Sequence, residues 1–178
     1  MAAPEYSLVI FPNPEQIALV KEFKQKLRAQ IGWFGSFNAN AHITVRNFED
    51  DEQLAKYLKK IKAFAQTQSL QVVNFRGYDH FGDKTFFIAP DAGSQEYLDN
   101  LIKDFHQYLE LEPGDIHAHI SIARGLDESR MEQAKSIFQH IPVKFSFLCD
   151  AFYLRKFSQE TKQYSEIAAK FPFTAGRS

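Results

Sequence analysis

The chain has 178 residues, of which 44% are hydrophobic and 24% are charged, a composition typical of a soluble globular protein with room for one sizeable domain. Its formal net charge of −1 excludes the global positive field with which a protein recruits nucleic acid non-specifically. The single cysteine, Cys149, excludes an intramolecular disulfide framework. Because the chain also shows no signal peptide and no run of roughly 20 apolar residues, we expect a cytoplasmic protein.

Apolar residues recurring with period two predict strands, and a period near 3.6 predicts helices. In chain order these patterns give a strand at 6–11, a helix from Pro14 to about Gln30, a strand around His42, a helix opening at 50–53, and strands at 70–78 and 84–90 joined by a turn at 80–83. They continue with a helix at 94–110, a strand at 117–123, a helix at 127–140, and a terminal hairpin of residues 143–156 and 162–171. Asn13 is the expected N-cap of the first helix.

The order of elements occurs twice. The stretch AHITVRNFEDDEQ aligns with AHISIARGLDESR, which pairs His42 with His119 and Thr44 with Ser121 at a separation of 77 residues. This predicts a duplicated β-α-β-α-β unit, over about residues 5–80 and 82–171. We therefore expect an α+β fold in one domain spanning 1–178, with two intertwined lobes related by pseudo-twofold symmetry around a central cleft.

The repeated pairs indicate phosphate chemistry. Side chains two apart on a strand share a face, so His42 lies beside Thr44 and His119 beside Ser121. If a twofold relates the lobes, both pairs face one cleft. Two histidines can then act as one base and one acid near neutral pH, and two hydroxyls can donate to the oxygens of a phosphodiester. This scheme requires no metal or other cofactor.

The two motifs, HITV and HISI, resemble the paired His-x-Thr/Ser-x motifs of the two-histidine (2H) phosphoesterase superfamily, in particular its 2′-5′ RNA ligase and RNA 2′,3′-cyclic phosphodiesterase branch. The resemblance implies mainly antiparallel sheets flanked by helices, with His42, Thr44, His119 and Ser121 as catalytic residues in an open cleft. It also implies metal-independent hydrolysis of 2′,3′-cyclic phosphates of RNA ends or nucleotides, and leaves reversible 2′-5′ RNA ligation open. The expected substrate is a small phosphodiester or an RNA terminus bound by a monomer.

Two other classes of protein remain as alternatives. A non-catalytic module could use the same side chains only to bind a phosphate, a nucleotide or an RNA end. In a metal-dependent hydrolase, Asp115, His117 and His119 would alternate onto one face, but zinc prefers three or four converging ligands and the first motif offers only His42. The motif of histidine-triad nucleotide hydrolases would require a histidine in place of Ser121. Which histidine is the acid, and the identity of the substrate, stay open at this stage.

A second tier of residues could contact the substrate. These candidates are Arg46, His117, Trp33, Tyr153 and Arg155. Arg46 falls on the His42 face by alternation, whereas Arg124 is out of register with His119, so Arg46 is preferred as a phosphate clamp. His80 is expected in a turn, and Cys149 is expected to be a small core residue.

Overall fold

The computed structural model describes residues 2–176, which form four helices and eight strands. The helices are α1 (Pro14–Ile31), α2 (Asp51–Thr67), α3 (Ala92–Tyr108) and α4 (Glu128–Phe138). The strands are β1 (Tyr6–Ile10), β2 (Ile43–Phe48), β3 (Gln71–Phe81), β4 (Thr85–Pro90), β5 (Ile120–Ala123), β6 (Lys144–Cys149), β7 (Ala151–Ser158) and β8 (Gln163–Pro172). None of the described helices has the length and hydrophobicity needed to cross a membrane.

Local capping explains where the helices begin, although α3 starts at Ala92, two residues before the predicted start at 94. Asn13 is the N-cap of α1, and its backbone N–H donates to Gln16 Oε1 at 2.8 Å. The other three helices each begin after an aspartate whose carboxylate accepts a hydrogen bond from the backbone N–H of the third helical residue; these caps are Asp50, Asp91 and Asp127. Side-chain acceptors at this position satisfy backbone N–H groups that the helix itself leaves unpaired.

The strands form two four-stranded sheets in which every described pair is antiparallel. The first sheet has the order β2-β1-β7-β8 and the second has the order β5-β4-β3-β6. The motif strands β2 and β5 therefore occupy equivalent edge positions. The predicted α+β class, with antiparallel sheets flanked by helices, is confirmed.

The prediction that 143–156 is a single strand is wrong. The chain breaks at Asp150, so that β6 pairs with β3 in the second sheet while β7 pairs with β1 in the first. The sequence repeat and the sheets therefore do not coincide, because β3 belongs to the first repeat but joins the second sheet. The turn predicted at 80–83 also begins later, since β3 continues to Phe81 and includes His80.

Aromatic side chains fill the space between the sheets and helices. Thirteen of the eighteen phenylalanines are buried. Phe64 stacks on Phe152 of β7 at 6.1 Å and packs edge-on against Phe105 of α3 at 5.5 Å. Because these contacts join α2, α3 and the first sheet, the core holds elements of both sequence repeats in fixed positions around the cleft.

Candidate active site

The two motif histidines are held in the same way. His42 and His119 lie immediately before β2 and β5, one position outside the strands in which they were predicted. His42 Nδ1 lies 2.7 Å from Asn40 O, and His119 Nδ1 lies 2.6 Å from His117 O. A carbonyl oxygen only accepts hydrogen bonds, so Nδ1 carries the proton in each ring. In the neutral imidazoles, Nε2 is consequently the free base.

A cavity of about 410 Å³ opens beside the first motif. His42 and Thr44 line it from the first sheet, and Ser121 and Arg124 line it from the second. His119 lines a neighbouring pocket of about 270 Å³, and Thr44 borders both spaces. The structure thus places three of the four predicted catalytic residues on one cavity and the fourth on the space adjoining it.

The larger cavity is strongly electropositive. Its lining includes four cationic side chains and no aspartate or glutamate; the cations are Lys24, Arg124, Arg155 and Lys162. Within residues 2–176, none of these four forms a salt bridge with an acidic side chain. A concentration of unpaired positive charge next to hydroxyl donors favours the binding of an anion such as a phosphate.

Lys24 connects this charge to the loop that carries His42. It is only 2% exposed, and its Nζ donates to Ser36 O at 2.8 Å and to Ala39 O at 2.7 Å. Burial, with a smaller effect of the Arg124 charge, lowers the pKa of Lys24 to about 8. The ammonium therefore fixes the backbone just before Asn40, whose carbonyl orients the His42 ring.

Burial and nearby cations act on both histidines. The pKa of His42 is well below its usual value, chiefly because of burial and also because Arg155, Arg124 and Lys24 are near, although the hydrogen bond with Asn40 opposes this. Burial also lowers the pKa of His119, with smaller effects of Arg124 and His117 in the same direction. The hydrogen bond with the His117 backbone and the Asp99 carboxylate raise it. Both rings are thus biased towards the neutral form.

The second-tier candidates are divided between the two spaces and the outer surface. Arg155 lines the larger cavity, whereas Arg46 and His117 line the smaller pocket beside His119. Arg46 Nη1 donates to Glu112 O at 3.0 Å. Trp33 and Tyr153 line neither space: Trp33 is 60% exposed, and Tyr153 packs edge-on against Phe11 at 5.0 Å.

The alternation argument fails at Arg46 because of a β-bulge. Leu8 pairs with Arg46 and Val9 with Thr44, so β2 has one extra residue, Val45, at this point. A bulge shifts the following side chains onto the opposite face. Asn47 accordingly lines the larger cavity with Thr44, while the Arg46 guanidinium donates to the carbonyl of Glu112 at the smaller pocket.

Sequence reasoning missed several residues of the larger cavity. Ser7 and Lys24 are both buried and line it, and residues 161–165 at the tip of the β7–β8 hairpin complete its wall. Two signals were present in the sequence. Ser7 is a polar residue inside the apolar run YSLVIF, and Lys24 falls on the apolar face of α1, four residues after Val20 and three before Leu27.

The alternative metal site does not assemble in this structure. Across residues 2–176, no three His, Cys, Asp or Glu side chains are grouped so that they could hold a metal ion. Asp115 and His117 are both exposed, and they lie in the irregular segment before β5 and not on a strand. The strand alternation that would bring Asp115, His117 and His119 onto one face is therefore absent.

Comparisons with known proteins agree with this architecture. A model of the 2′-5′ RNA ligase superfamily matches residues 12–161, whereas no curated protein sequence gives a significant match. The fold is similar to TT0787 of Thermus thermophilus, with a TM-score of 0.60 and 17% identity over 97% of this chain and 100% of that one.

Two further solved structures are similar to this one. E. coli LigT complexed with 3′-AMP has a TM-score of 0.60 and 15% identity, covering 96% of this chain and 98% of LigT. Kluyveromyces marxianus Usb1 with uridine monophosphate has a TM-score of 0.53 and 12% identity, covering 94% of this chain and 97% of Usb1. At these identities the likeness concerns the fold, while the superfamily match covers most of the chain.

Proposed function

This chain belongs to the 2′-5′ RNA ligase superfamily, and we propose that it hydrolyses 2′,3′-cyclic phosphates of nucleotides or RNA ends by two-histidine acid and base catalysis. The observation that carries the proposal is the matched setting of His42 and His119. Each ring donates Nδ1–H to the backbone carbonyl two residues before it, and each has a motif hydroxyl two residues after it. Such a pair supplies two oriented Nε2 atoms for proton transfer.

In the proposed reaction, water attacks the cyclic phosphorus. One histidine takes the proton of the water as the new P–O bond forms, and the other gives a proton to the ribose oxygen as the old P–O bond breaks. Thr44 and Ser121 donate to the non-bridging oxygens, and Arg124, whose Nε lies 3.4 Å from Ser121 Oγ, neutralises the charge that develops there. The product is a nucleoside or RNA end carrying a phosphate monoester.

The electrostatic settings of the two rings favour His42 as the base. Arg155, Arg124 and Lys24 lower the pKa of His42, and no carboxylate within residues 2–176 opposes them. At His119 the charges of Arg124 and His117 also lower the pKa, but the Asp99 carboxylate opposes them. Protonation therefore costs more free energy at His42 than at His119, and an acid must carry its proton before the reaction begins. We assign His42 to the activation of water and His119 to protonation of the leaving oxygen.

Ligands of the structural neighbours support the proposed class of substrate. LigT was solved with 3′-AMP and Usb1 with uridine monophosphate. A nucleoside monophosphate is the kind of product that opening of a 2′,3′-cyclic phosphate releases. The positive cavity in this chain has the charge that such an anion requires.

The test compares His42→Ala and His119→Ala on two substrates, with His80→Ala as a matched control because His80 is exposed and lines neither space. With 2′,3′-cyclic AMP, each motif variant should lose on the order of 10²- to 10⁴-fold in kcat, and the control should keep its rate. With a nucleotide p-nitrophenyl ester, whose leaving group departs without a proton, His119→Ala should recover and His42→Ala should not. The assays are run with and without chelator.

Each other outcome contradicts a defined part of the proposal. Full activity of either motif variant would exclude the two-histidine scheme. Tight binding of 3′-AMP without turnover of any cyclic phosphate would make the protein a binding module, and loss of turnover with chelator would restore the metal-dependent class. Recovery of His42→Ala instead of His119→Ala would reverse the assignment of base and acid.

A further inference from the structure

Arg155 is a buried cation without an acidic partner. The side chain is 5% exposed, and its Nη2 donates to Ser7 Oγ at 3.1 Å. Within residues 2–176, its Nε has no hydrogen-bond partner and no carboxylate forms a salt bridge with it. Burial lowers the pKa of Arg155 to about 10, so the guanidinium still carries its charge at neutral pH. A buried charge without a counter-ion favours the binding of an anion.

Two aromatic rings fix the position of this guanidinium. The Arg155 Cζ lies 5.1 Å from the centre of the Tyr164 ring and 5.9 Å from the centre of the Phe11 ring. Both distances are within the range of cation–π contacts. Because the rings and Ser7 hold the side chain while it lines the larger cavity, its donors are oriented before any ligand arrives, which lowers the entropy cost of binding.

The strand register separates Arg155 from the first motif. Val9 is the β1 residue opposite Thr44, and Ser7 is the β1 residue opposite Arg155. Ser7 and Val9 are two residues apart, so these two rows are about 7 Å apart along β1. β7 also lies on the other side of β1 from β2. The Arg155 backbone is thus displaced from Thr44 both along and across the sheet. The Arg155 guanidinium reaches back to Ser7 on β1 and lies near enough to His42 to lower the pKa of that ring.

The cavity contains a second, separate pair of the same kind. Arg124 Nε lies 3.4 Å from Ser121 Oγ, the hydroxyl of the second motif. Arg155 and Ser7 repeat the combination of guanidinium and hydroxyl on the first sheet. In the proposed reaction Arg155 acts on His42 only through its charge, and neither Arg155 nor Ser7 is assigned a contact with the reacting phosphate. Lys162 adds a further cation to the lining near Tyr164, at the hairpin tip. One cavity therefore offers two places for an anion.

We propose that Arg155 and Ser7 form a subsite for a second phosphate of the substrate, distinct from the phosphate that reacts. The inference deepens the proposed function and rests on it for the identity of the reacting group. The substrate class becomes a nucleotide with two phosphates. The second phosphate is either a terminal monoester or the internucleotide diester of a longer RNA end.

Isothermal titration calorimetry tests the subsite without turnover. The ligands are adenosine 3′-monophosphate, adenosine 3′,5′-bisphosphate and a 3′-phosphorylated diadenosine dinucleotide, each titrated into the full chain. The wild-type protein should bind at least one two-phosphate ligand roughly tenfold or more tightly than the monophosphate, as expected for one added charge-assisted contact. Tighter binding of the bisphosphate than of the monophosphate would identify the second phosphate as a terminal monoester. Tighter binding of the dinucleotide would identify it as an internucleotide diester.

Three variants should bring the affinities for two-phosphate and one-phosphate ligands close to each other, so that their ratio falls towards one. These variants are Arg155→Gln, Arg155→Lys and Ser7→Ala. Lys170→Gln is the matched control, because Lys170 is an exposed cation of β8 that does not line the cavity, and it should keep the ratio. If Arg155→Gln fails to fold, Arg155→Lys retains the charge but not the forked geometry, and Ser7→Ala removes the hydroxyl alone.

Two results would overturn the subsite. Equal affinities for one- and two-phosphate ligands in the wild-type protein would exclude a second anion position. An equal loss for all ligands in the Arg155 variants would place the guanidinium on the reacting phosphate. Turnover of 2′,3′-cyclic AMP is measured separately, so a chain that hydrolyses nothing but keeps the affinity ratio refutes the proposed function and not the subsite.

Discussion

Replacing Lys24 with methionine tests whether a buried, unpaired ammonium holds the loop before His42. Lys24 is 2% exposed, donates to two backbone carbonyls, and has a pKa lowered from 10.5 to about 8 by burial and by Arg124. Methionine keeps much of the side-chain length and removes the charge. The substitution therefore separates the electrostatic effect of Lys24 from its packing.

The expected magnitude follows from proton linkage. Between about pH 8 and 10.5 the unfolded chain keeps the Lys24 proton and the folded chain loses it. The unfolded state then binds more protons, so the free energy of unfolding rises with pH. Since each pKa unit corresponds to about 1.4 kcal/mol, the free energy of unfolding should rise by about 3 kcal/mol between pH 8 and 10.5. The rise is complete near pH 10.5, and the added stability is lost as the pH falls back to 8. Loss of the two carbonyl contacts in Lys24→Met adds a penalty that is largely independent of pH.

Urea unfolding followed by circular dichroism, at steps from neutral pH to about 10.5, measures the difference in free energy between the wild-type protein and Lys24→Met. Taking the difference cancels the titration of the tyrosines and of Cys149, which both proteins share. The wild-type protein should gain about 3 kcal/mol relative to the variant over this range. Lys26→Met is the control, since Lys26 is exposed on the same helix. A difference that does not change with pH would refute the reasoning.

Two further predictions concern other buried groups. The pKa values of His42 and His119 are lowered in the folded state, so the free energy of unfolding should decrease as the pH drops below about 6.5. In urea titrations, the free energy of unfolding of His42→Gln should decrease less steeply with pH than that of the wild-type protein. A wild-type protein whose stability is flat between neutral pH and pH 5 would contradict the lowered values. Burial raises the pKa of the Cys149 thiol to about 12, so a thiol reagent at pH 8 should label it only after urea is added, and fast labelling of the folded protein would show that the thiol is accessible.

Local patterns were sufficient for the helices and for the motif pair. Each helix begins at a capping residue that the sequence shows directly, and the two His-x-Thr/Ser stretches occur in matching contexts. The partners of the strands could not be predicted in the same way. The run 143–156 reads as one strand, but its two halves pair with β3 and β1, which are far away in sequence. Strand pairing over such distances depends on the whole core and not on the local sequence.

Arg46 and Arg124 show where the alternation of side chains along a strand fails to predict which residues line the cavity. Strand alternation favours Arg46 over Arg124 as a phosphate ligand, because only Arg46 is in register with its histidine. The bulge at Val45 ends that register in β2. A matching bulge at Ile122 ends it in β5, which itself stops at Ala123 just before Arg124. Arg124 lines the larger cavity and Arg46 does not. Bulges and strand ends depend on pairing, which a single sequence does not display.

The exchange of strands between the repeats affects how the chain can fold while it is being synthesised on the ribosome. Tyr6 of β1 pairs with Lys156 of β7, so the centre of the first sheet joins residues 150 positions apart. Until β7 has been synthesised, β1 and β2 lack the neighbour that covers their inner edge, whereas β3, β4, β5 and β6 are already present to form the second sheet. Because a domain folds as a unit and its first sheet needs β7, the first motif strand cannot be held in its final place before β7 has been synthesised. The cavity around His42 is complete only when the β7–β8 hairpin supplies its wall.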